Sequence, residues 1–534
     1  MKKLFKYSLI FGLGLLMSGC SDLEEDLVGD ITEEIVVEGI NTEGPGGGEG
    51  ALTALYAELR NSGTANHGGY YSIQEITTDE MFIGAKGGDW FDGGDLIRLH
   101  QHTYTANHPF VNGAWVGTYN AIATANDNIG GGNLSETETA QARAVRAYFY
   151  WRLLDSYGRV KLVTEENPDP PQASRQDVFE FVESELLAAL GISEVSESMD
   201  LSNSPLADGG SAYTMNRYGA LGLLAKLYLN AEVYTGTAMY DKAEIAASYI
   251  IDSGQYVLCG DGCSVPNLGR RPRVSTEIDP EMLEGYAAVF AANNEGNPEH
   301  IFAVRYDEAT GAGMNFAMMN LHYSSQFTWN FQEQPWNGYA TIEEFYNSYE
   351  DGDARKEANF IVGPQLDFSG FPLLDYAADD DDIQLNYTPK INELAPNSQR
   401  EAGARPAKFS YKQFGRAEMD NDFPLVRLGE IYLVRAEAAA RQAGNWTVAE
   451  ADVNVLRARA GVAEYNGTMT ADEFLAERGR EMFQETARRT DMIRFGKYNG
   501  EWWEKPASEP FVNIFPIPQE QINAGGGLTQ NPGY

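Results

Sequence analysis

Cysteine, histidine and positive charge are all scarce in this sequence. Three Cys, six His and 39 Lys plus Arg stand against 78 Asp plus Glu in 534 residues. Three cysteines cannot build a disulfide-dense scaffold. Cys259 and Cys263, the two in the body of the chain, offer too few ligands for a structural zinc site. A net charge of −39 repels nucleic acid and anionic lipid headgroups, so neither is an expected ligand. It also disfavours heavily sulfated or uronic-acid polymers, unless a local basic patch or bound cation intervenes. No apolar run beyond the N-terminus is long enough to span a bilayer. A serine nucleophile elbow, a phosphate-cradling glycine loop and a His-Glu-x-x-His pair are all missing, and no cofactor is expected.

What is present begins with an export signal. Lys2, Lys3 and Lys6 precede an apolar stretch, Tyr7 to Met17, and then Leu16-Met17-Ser18-Gly19-Cys20, which looks like a lipobox. Residues 1–19 therefore read as a lipoprotein signal peptide and Cys20 as the lipidated residue. Several acyl chains on one residue give stable anchoring, each buried methylene contributing about 0.8 kcal/mol. Residues 20–50 read as a flexible tether, acidic at Ser21-Asp22-Leu23-Glu24-Glu25-Asp26 and glycine-rich at Gly44 to Gly50. Cys259 and Cys263 flank Gly260-Asp261-Gly262 and should form a local disulfide in an oxidising compartment.

Residues 51–534 read as one mainly α domain, a helix-hairpin scaffold of tetratricopeptide type with a large loop-rich insertion and short strands. Apolar residues recur at helical spacing over 51–60, 114–129, 136–157, 175–190, 216–234, 241–253, 425–443, 448–460 and 471–489. The scaffold thus occupies about 51–61, 114–255 and 425–495. The Gly-, Asn- and aromatic-rich stretches 62–112 and 256–424 form its loop-rich face. Two helix pairs share an alanine-bearing first helix (Ala220, Ala225, Ala231; Ala436, Ala438, Ala440) and an aromatic at the turn (Tyr240; Trp446), which lets antiparallel helices approach closely.

A series of motifs runs through this pattern. Tyr119-Asn120-Ala121-Ile122 comes first, then Ala144-Val145-Arg146-Ala147-Tyr148-Phe149-Tyr150 leading to Asp155-Ser156-Tyr157-Gly158, then Leu221 to Leu229. Pro424-Leu425-Val426-Arg427-Leu428-Gly429-Glu430 follows, with Arg435-Ala436-Glu437-Ala438, Glu477-Arg478, Glu481, Arg488-Arg489 and Asp491-Met492-Ile493-Arg494-Phe495-Gly496. The chain closes on Phe515-Pro516-Ile517-Pro518 and Gln530-Asn531-Pro532-Gly533-Tyr534. In this order the motifs resemble the SusD/RagB family of nutrient-binding outer-membrane lipoproteins. The acidic run behind Cys20 resembles the signal that carries Bacteroidetes lipoproteins to the cell surface. The resemblance implies a non-catalytic protein on the extracellular face of the outer membrane, held through a lipid anchor. It also implies two partners: a carbohydrate polymer, and a SusC-like TonB-dependent outer-membrane transporter over which the lipoprotein sits as a lid. Arg146, Tyr150, Tyr157, Arg478, Arg488, Arg489 and Asp491 read as structural, the cations near a helix end pairing with Asp491 and Glu485.

The ligand should meet aromatics that lie off the periodic helices. A sugar ring offers a sheet of C–H groups to Trp or Tyr, and hydroxyls to Asp, Asn and Gln at its rim. The first candidate loop is Gly87-Gly88-Asp89-Trp90-Phe91-Asp92-Gly93-Gly94, with Asp89, Trp90, Phe91 and Asp92 expected in contact. The second runs from Tyr323 through Trp329 and Asn330 to Trp336 and Asn337; Tyr71 is a further candidate, and Trp502-Trp503 reads as exposed. Together these favour a neutral polymer, with a β-glucan such as laminarin first. Two other readings compete. A glycoside hydrolase would need two carboxylates facing across a cleft, for which Asp89, Asp92 and Asp95 are the loop candidates. The chain could instead be a ligand-free structural lipoprotein. His100, His102 and His108 read as ordinary loop histidines, and Asp351, Asp353 and the Asp379 to Asp382 run as solvated charge.

Overall fold

The computed structural model describes residues 50–271, 279–378, 383–416 and 418–534. The lipobox with Cys20, the tether up to residue 49 and the Asp379 to Asp382 run lie outside the described residues. The scaffold helices are α1 (Thr53–Asn61), α2 (Pro109–Gly130), α3 (Glu136–Tyr157), α4 (Arg175–Leu190), α5 (Arg217–Leu229), α6 (Tyr240–Asp252), α7 (Leu428–Ala443), α8 (Glu450–Ala460), α9 (Ala471–Met482) and α10 (Arg488–Arg494). Their ends are written locally. Ser135, Ser174 and Thr470 open α3, α4 and α9 with reciprocal capping boxes to Glu138, Asp177 and Glu473. Pro109 stands at the first turn of α2, where its missing N–H costs no hydrogen bond. The stretch expected as one helix over 216–234 breaks at Asn230 into α5 and a short helix, Ala231–Thr235.

Each scaffold helix packs on the next from α1 to α8, which is the helix-hairpin logic expected of a tetratricopeptide-like stack. Small residues set the spacing. Ala243, Ala246 and Ala247 of α6 and Ala436, Ala438 and Ala440 of α7 are all buried. On α5, a Cβ at Gly222 would lie 2.4 Å from Val426 Cγ1, so glycine is what lets a strand cross that helix. The α6–α7 contact joins parts of the chain separated by residues 253–427, and this long insertion builds much of the loop-rich face.

Two short antiparallel pairs tie the loops to the scaffold: β1 (Met81–Ile83) with β3 (Tyr339–Thr341), and β2 (His300–Val304) with β4 (Phe423–Arg427). The first pair brings the early loop region against the insertion. That early region is less irregular than the sequence suggests, since it also contains helices Tyr70–Glu75 and Asp95–His100.

Where β4, α8 and α9 meet, the interior is ionic. Arg427 bonds Glu299 (2.9 Å), Glu481 (2.9 Å) and Glu485 (2.6 Å), and Arg355 bonds Asp353 (2.8 Å), Glu477 (2.8 Å) and Glu481 (3.2 Å). The side chains of these residues are 0–1% exposed. Burial raises the Glu477 carboxyl, but Arg355, Arg480 and Arg457 outweigh it and hold it at about 2; Arg459, Arg427 and Arg355 hold Glu481 lower still. Carboxylates taken out of water survive as ions only with such partners.

The cations of the C-terminal motif form buried pairs of their own; the expected pairing with Asp491 is made by Arg478, while Glu485 goes to Arg427 and Lys408. Arg488 and Arg489 open α10 and pair with Asp79 and Asp155, both at 2.7 Å, while Arg478 pairs with Asp491 at 2.8 Å. Asp353 is likewise not solvated: it is buried, caps the helix Ala354–Asn359 and holds Arg355. Cys259 and Cys263 form a disulfide with Cα atoms 5.2 Å apart.

Candidate functional site

The glycine-flanked loop 87–94 folds back on itself. Lys86 N–H donates to the Asp89 carbonyl at 2.8 Å, and Gly87 N–H to the Pro396 carbonyl at 2.8 Å. Gly87, Gly93 and Gly94 take φ of 69°, 63° and 87°, and two non-glycine residues join them in the left-handed region, Trp90 at 57° and Asp92 at 43°. That conformation is costly for a bulky side chain and persists only where surrounding contacts enforce it. The contacts here are specific. The Trp90 indole N–H donates to the Trp336 carbonyl at 2.6 Å, and the His67 ring stands edge-on to it at 5.2 Å.

Beneath Trp90 lies Gly338. A Cβ there would sit 2.6 Å from Trp90 Cζ2 and 2.8 Å from the Met319 carbonyl oxygen, so the indole rests directly on bare backbone. Trp90 is half-buried, while Phe91 and Trp336 beside it are 47% and 38% exposed. The result is an aromatic shelf held rigidly from below and open above. Its rim is polar: the Tyr323 hydroxyl donates to the exposed Asp89 carboxylate, and Asp92 is exposed on the same loop. Partial burial raises the Asp89 carboxyl, with the nearby Lys86 ammonium opposing the shift. Burial drives the His67 imidazole down to about 4, so it is a neutral ring at physiological pH.

The structure thus brings together Asp89, Trp90, Phe91, Asp92, Tyr323 and Trp336, and leaves other expected residues elsewhere. Tyr71 is fully buried in helix Tyr70–Glu75 against Phe316 and Tyr339, so it presents no surface to a ligand. Asn337 is fully buried; with φ 59° it forms the turn that delivers Gly338. Trp329 and Asn330 are half-buried in another cluster, Trp329 stacking on Phe331 at 5.8 Å and meeting Tyr411 edge-on at 5.2 Å. Trp502 and Trp503 are half-buried rather than exposed, Trp503 against Phe82 and His100. His100, His102 and His108 are buried, each with a hydrogen bond to a backbone carbonyl.

Sequence reasoning missed His67, whose Nδ1 lies 3.0 Å from the Tyr339 hydroxyl and whose ring braces Trp90. Its only local signal is its place before Gly68-Gly69. It also missed an exposed aromatic pair, Phe327 and Tyr376, 48% and 67% exposed with ring centroids 5.4 Å apart. Among the described residues no helix is long and apolar enough to cross a membrane, and no cluster of three or more acidic, His or Cys groups could hold a metal.

A stacked helix-hairpin scaffold that carries a braced aromatic shelf on its loop face defines the class: a mainly α-helical protein with an exposed aromatic surface on its loops. The comparisons with known proteins say what the chain is similar to. The SusD family model matches residues 298–511. The starch-binding protein SusD of Bacteroides thetaiotaomicron is 25% identical over 519 residues, covering 87% of this chain and 85% of that protein. Among solved structures, a laminarin-binding SusD-like protein superposes with a TM-score of 0.66 at 22% identity, covering 91% of this chain and 98% of the other. The surface glycan-binding protein A of Bacteroides fluxus gives 0.63 at 20% identity, covering 94% and 100%. A SusD superfamily protein from Parabacteroides distasonis gives 0.67 at 18% identity, covering 91% and 99%. At these identities the structural likenesses establish the fold. The chain is thus similar to the SusD family in sequence over residues 298–511 and to SusD over most of its length.

Proposed function

We propose that this protein is a surface glycan-binding lipoprotein. In this reading Cys20 anchors it to the outer membrane, residues 20–50 tether it, and residues 51–534 form one domain that captures a polysaccharide on its loop face. The captured chain passes to a SusC-like TonB-dependent transporter in the same membrane. The observation that carries the reading is the Trp90 shelf: an indole laid on Gly338, locked by its N–H to the Trp336 carbonyl, with the Asp89–Tyr323 pair at its rim. Such a surface covers the C–H face of a sugar while the rim meets its hydroxyls. The printed names of the relatives, starch-binding, laminarin-binding and glycan-binding, support the same class of ligand.

The reading is non-catalytic. Asp89 and Asp92 sit on one loop, three residues apart, whereas glycoside hydrolysis needs carboxylates on opposite sides of the scissile bond. A neutral β-glucan such as laminarin is the first ligand to try, on the strength of the chain's net charge and one neighbour's name.

A stacking platform contributes on the order of 1–2 kcal/mol, so Trp90→Ala should weaken glycan binding about five- to thirtyfold. Calorimetry on wild type and variant against a panel of neutral and charged polysaccharides reads this directly. Product analysis of the same mixtures should find no shortened chains. Unchanged affinity in the variant, or release of shorter oligosaccharides by the wild type, would overturn the reading.

A further inference from the structure

The segment that supplies Trp336 to the shelf also serves a second place. Seven residues earlier, Trp329 stands in the wall of a cleft of about 1670 Å³. The cleft lies between residues 258–271 and 279–287 on one side and 354–366 on the other, with Tyr411 and the α8 residues Val455, Ala458 and Arg459 also in its lining. Its first wall is braced by the Cys259–Cys263 disulfide, by the pairing of Ser264–Pro266 with Met282–Glu284, and by the Arg271–Asp279 ion pair at 2.8 Å. A large, partly apolar cleft with fixed walls is where small-molecule and oligosaccharide ligands are ordinarily held.

The chemistry of the lining is specific. The Trp329 indole N–H has no hydrogen-bond partner among the described residues, while its ring is fixed by Phe331 and Tyr411. On the facing wall Lys356 Nζ stands 4.5 Å from the Tyr346 ring centroid and forms no ion pair among the described residues. Asp261, Glu284 and Glu357 are exposed carboxylates in the same lining, also without ion pairs there. Aromatic edges, a free N–H donor and unpaired carboxylate acceptors suit a hydroxyl-rich neutral ligand, and the surplus of carboxylates repels an anionic one.

The geometry points to a second carbohydrate site in this cleft, taking a neutral oligosaccharide between Trp329 and the Lys356–Glu357 wall. The inference rests on the glycan-binding reading and adds that the captured polymer is gripped at two places. Trp329 and Trp336 are seven residues apart, so their Cα atoms lie within about 25 Å of one another. A single chain long enough to reach both places binds the second as an intramolecular event, and avidity then exceeds either affinity alone.

The test uses the full-length chain in detergent, titrated calorimetrically with laminarin, xyloglucan, mannan and starch and then with size-graded oligosaccharides of whichever polymer binds. Wild type should take up two short oligosaccharides per chain. Ala358→Trp, which fills the cleft from the wall facing Trp329, should leave one, and should weaken binding of the long polymer at least tenfold; Trp90→Ala should leave the other. If Ala358→Trp does not fold, the exposed-wall pair Lys356→Ala with Glu357→Ala is read in its place. A stoichiometry of one, with the cleft variants binding polymer like wild type, overturns the second site and leaves the Trp90 reading standing. No binding to any polymer of the panel overturns both.

Discussion

Raising the pH through neutrality should loosen this protein, and two carboxyl groups should be responsible. Glu75 and Glu80 are 0% and 1% exposed, side by side where helix Tyr70–Glu75, β1 and the loop after α9 meet. Among the described residues neither forms an ion pair, and the nearby Arg488 is committed to Asp79. Burial pushes the Glu75 carboxyl up to about 7, against the hydrogen bond it receives from Thr486 N–H, and burial together with Glu75 holds Glu80 well above the ordinary carboxylate range. The two titrate as a pair, so the apparent values belong to both.

The direction of the effect follows from proton counting. Between the unfolded value of 4.5 and the folded value near 7, the folded chain holds a proton that the unfolded chain has lost. The contribution to stability is therefore complete below pH 4.5 and is lost as pH rises through about 7. A displacement of that size amounts to about 3 kcal/mol for one group. Buried neutral histidines work oppositely and at lower pH. Burial drives His100 to about 4 and His102 to about 3, so their contribution is present above 6.5 and lost as pH falls toward those values. A comparison with the double variant Glu75→Gln, Glu80→Gln cancels the histidine contribution. In urea melts at pH 5, 6, 7 and 8, wild type should lose about 3 kcal/mol relative to the double variant across that range. Parallel pH profiles for the two proteins would refute the argument.

Other consequences are as direct. Gly338→Ala places a methyl inside the Trp90 ring contact and should abolish most glycan affinity while the bulk fold persists, measured by calorimetry beside circular dichroism. Arg427→Ala strands Glu299, Glu481 and Glu485 in the interior and should destabilise by about 3–5 kcal/mol in a urea melt, as expected when one partner leaves a buried ionic cluster. Cys20→Ser should shift the protein out of the membrane fraction or leave its signal uncleaved; normal surface retention would remove the anchor from the reading. Mild detergent extraction should bring down a large β-barrel protein with this chain, and recovery of free monomer alone would count against the transporter partnership.

Much of the scaffold was legible because its signals are local. Glu136–Tyr157 and Arg175–Leu190 begin and end where the periodicity places them, since a Ser-x-x-Glu or Ser-x-x-Asp box and a following glycine mark the boundaries. The break at Asn230 escaped notice because the apolar pattern continues across it. At the candidate site, glycine spacing marked the loop of Trp90, and aromatic density marked the segment from Tyr323 to Trp336. What no local pattern carries is the partnering. The bond from Trp90 to the Trp336 carbonyl spans 246 positions, and the one from Tyr323 to Asp89 spans 234. The same limit explains Tyr71 and Asn337: an aromatic after two glycines and an asparagine before one look exposed, until β1 and β3 pair and enclose them. The ionic interior was visible only in part: Arg478, Arg488, Arg489 and Asp491 read as structural, but no local pattern shows that Glu477, Arg480 and Glu481 are buried among arginines.

The insertion between α6 and α7 has an evolutionary consequence. The two helices pack directly, so residues 253–427 leave the stack and return to it at one seam. For a flexible connection, doubling the length between fixed ends costs only about 0.6 kcal/mol in closure entropy. Segments of the loop face can therefore lengthen, shorten or be replaced with little burden on the helices that carry them. A lineage meeting a new polymer can rewrite the shelf and the cleft while inheriting the seam unchanged.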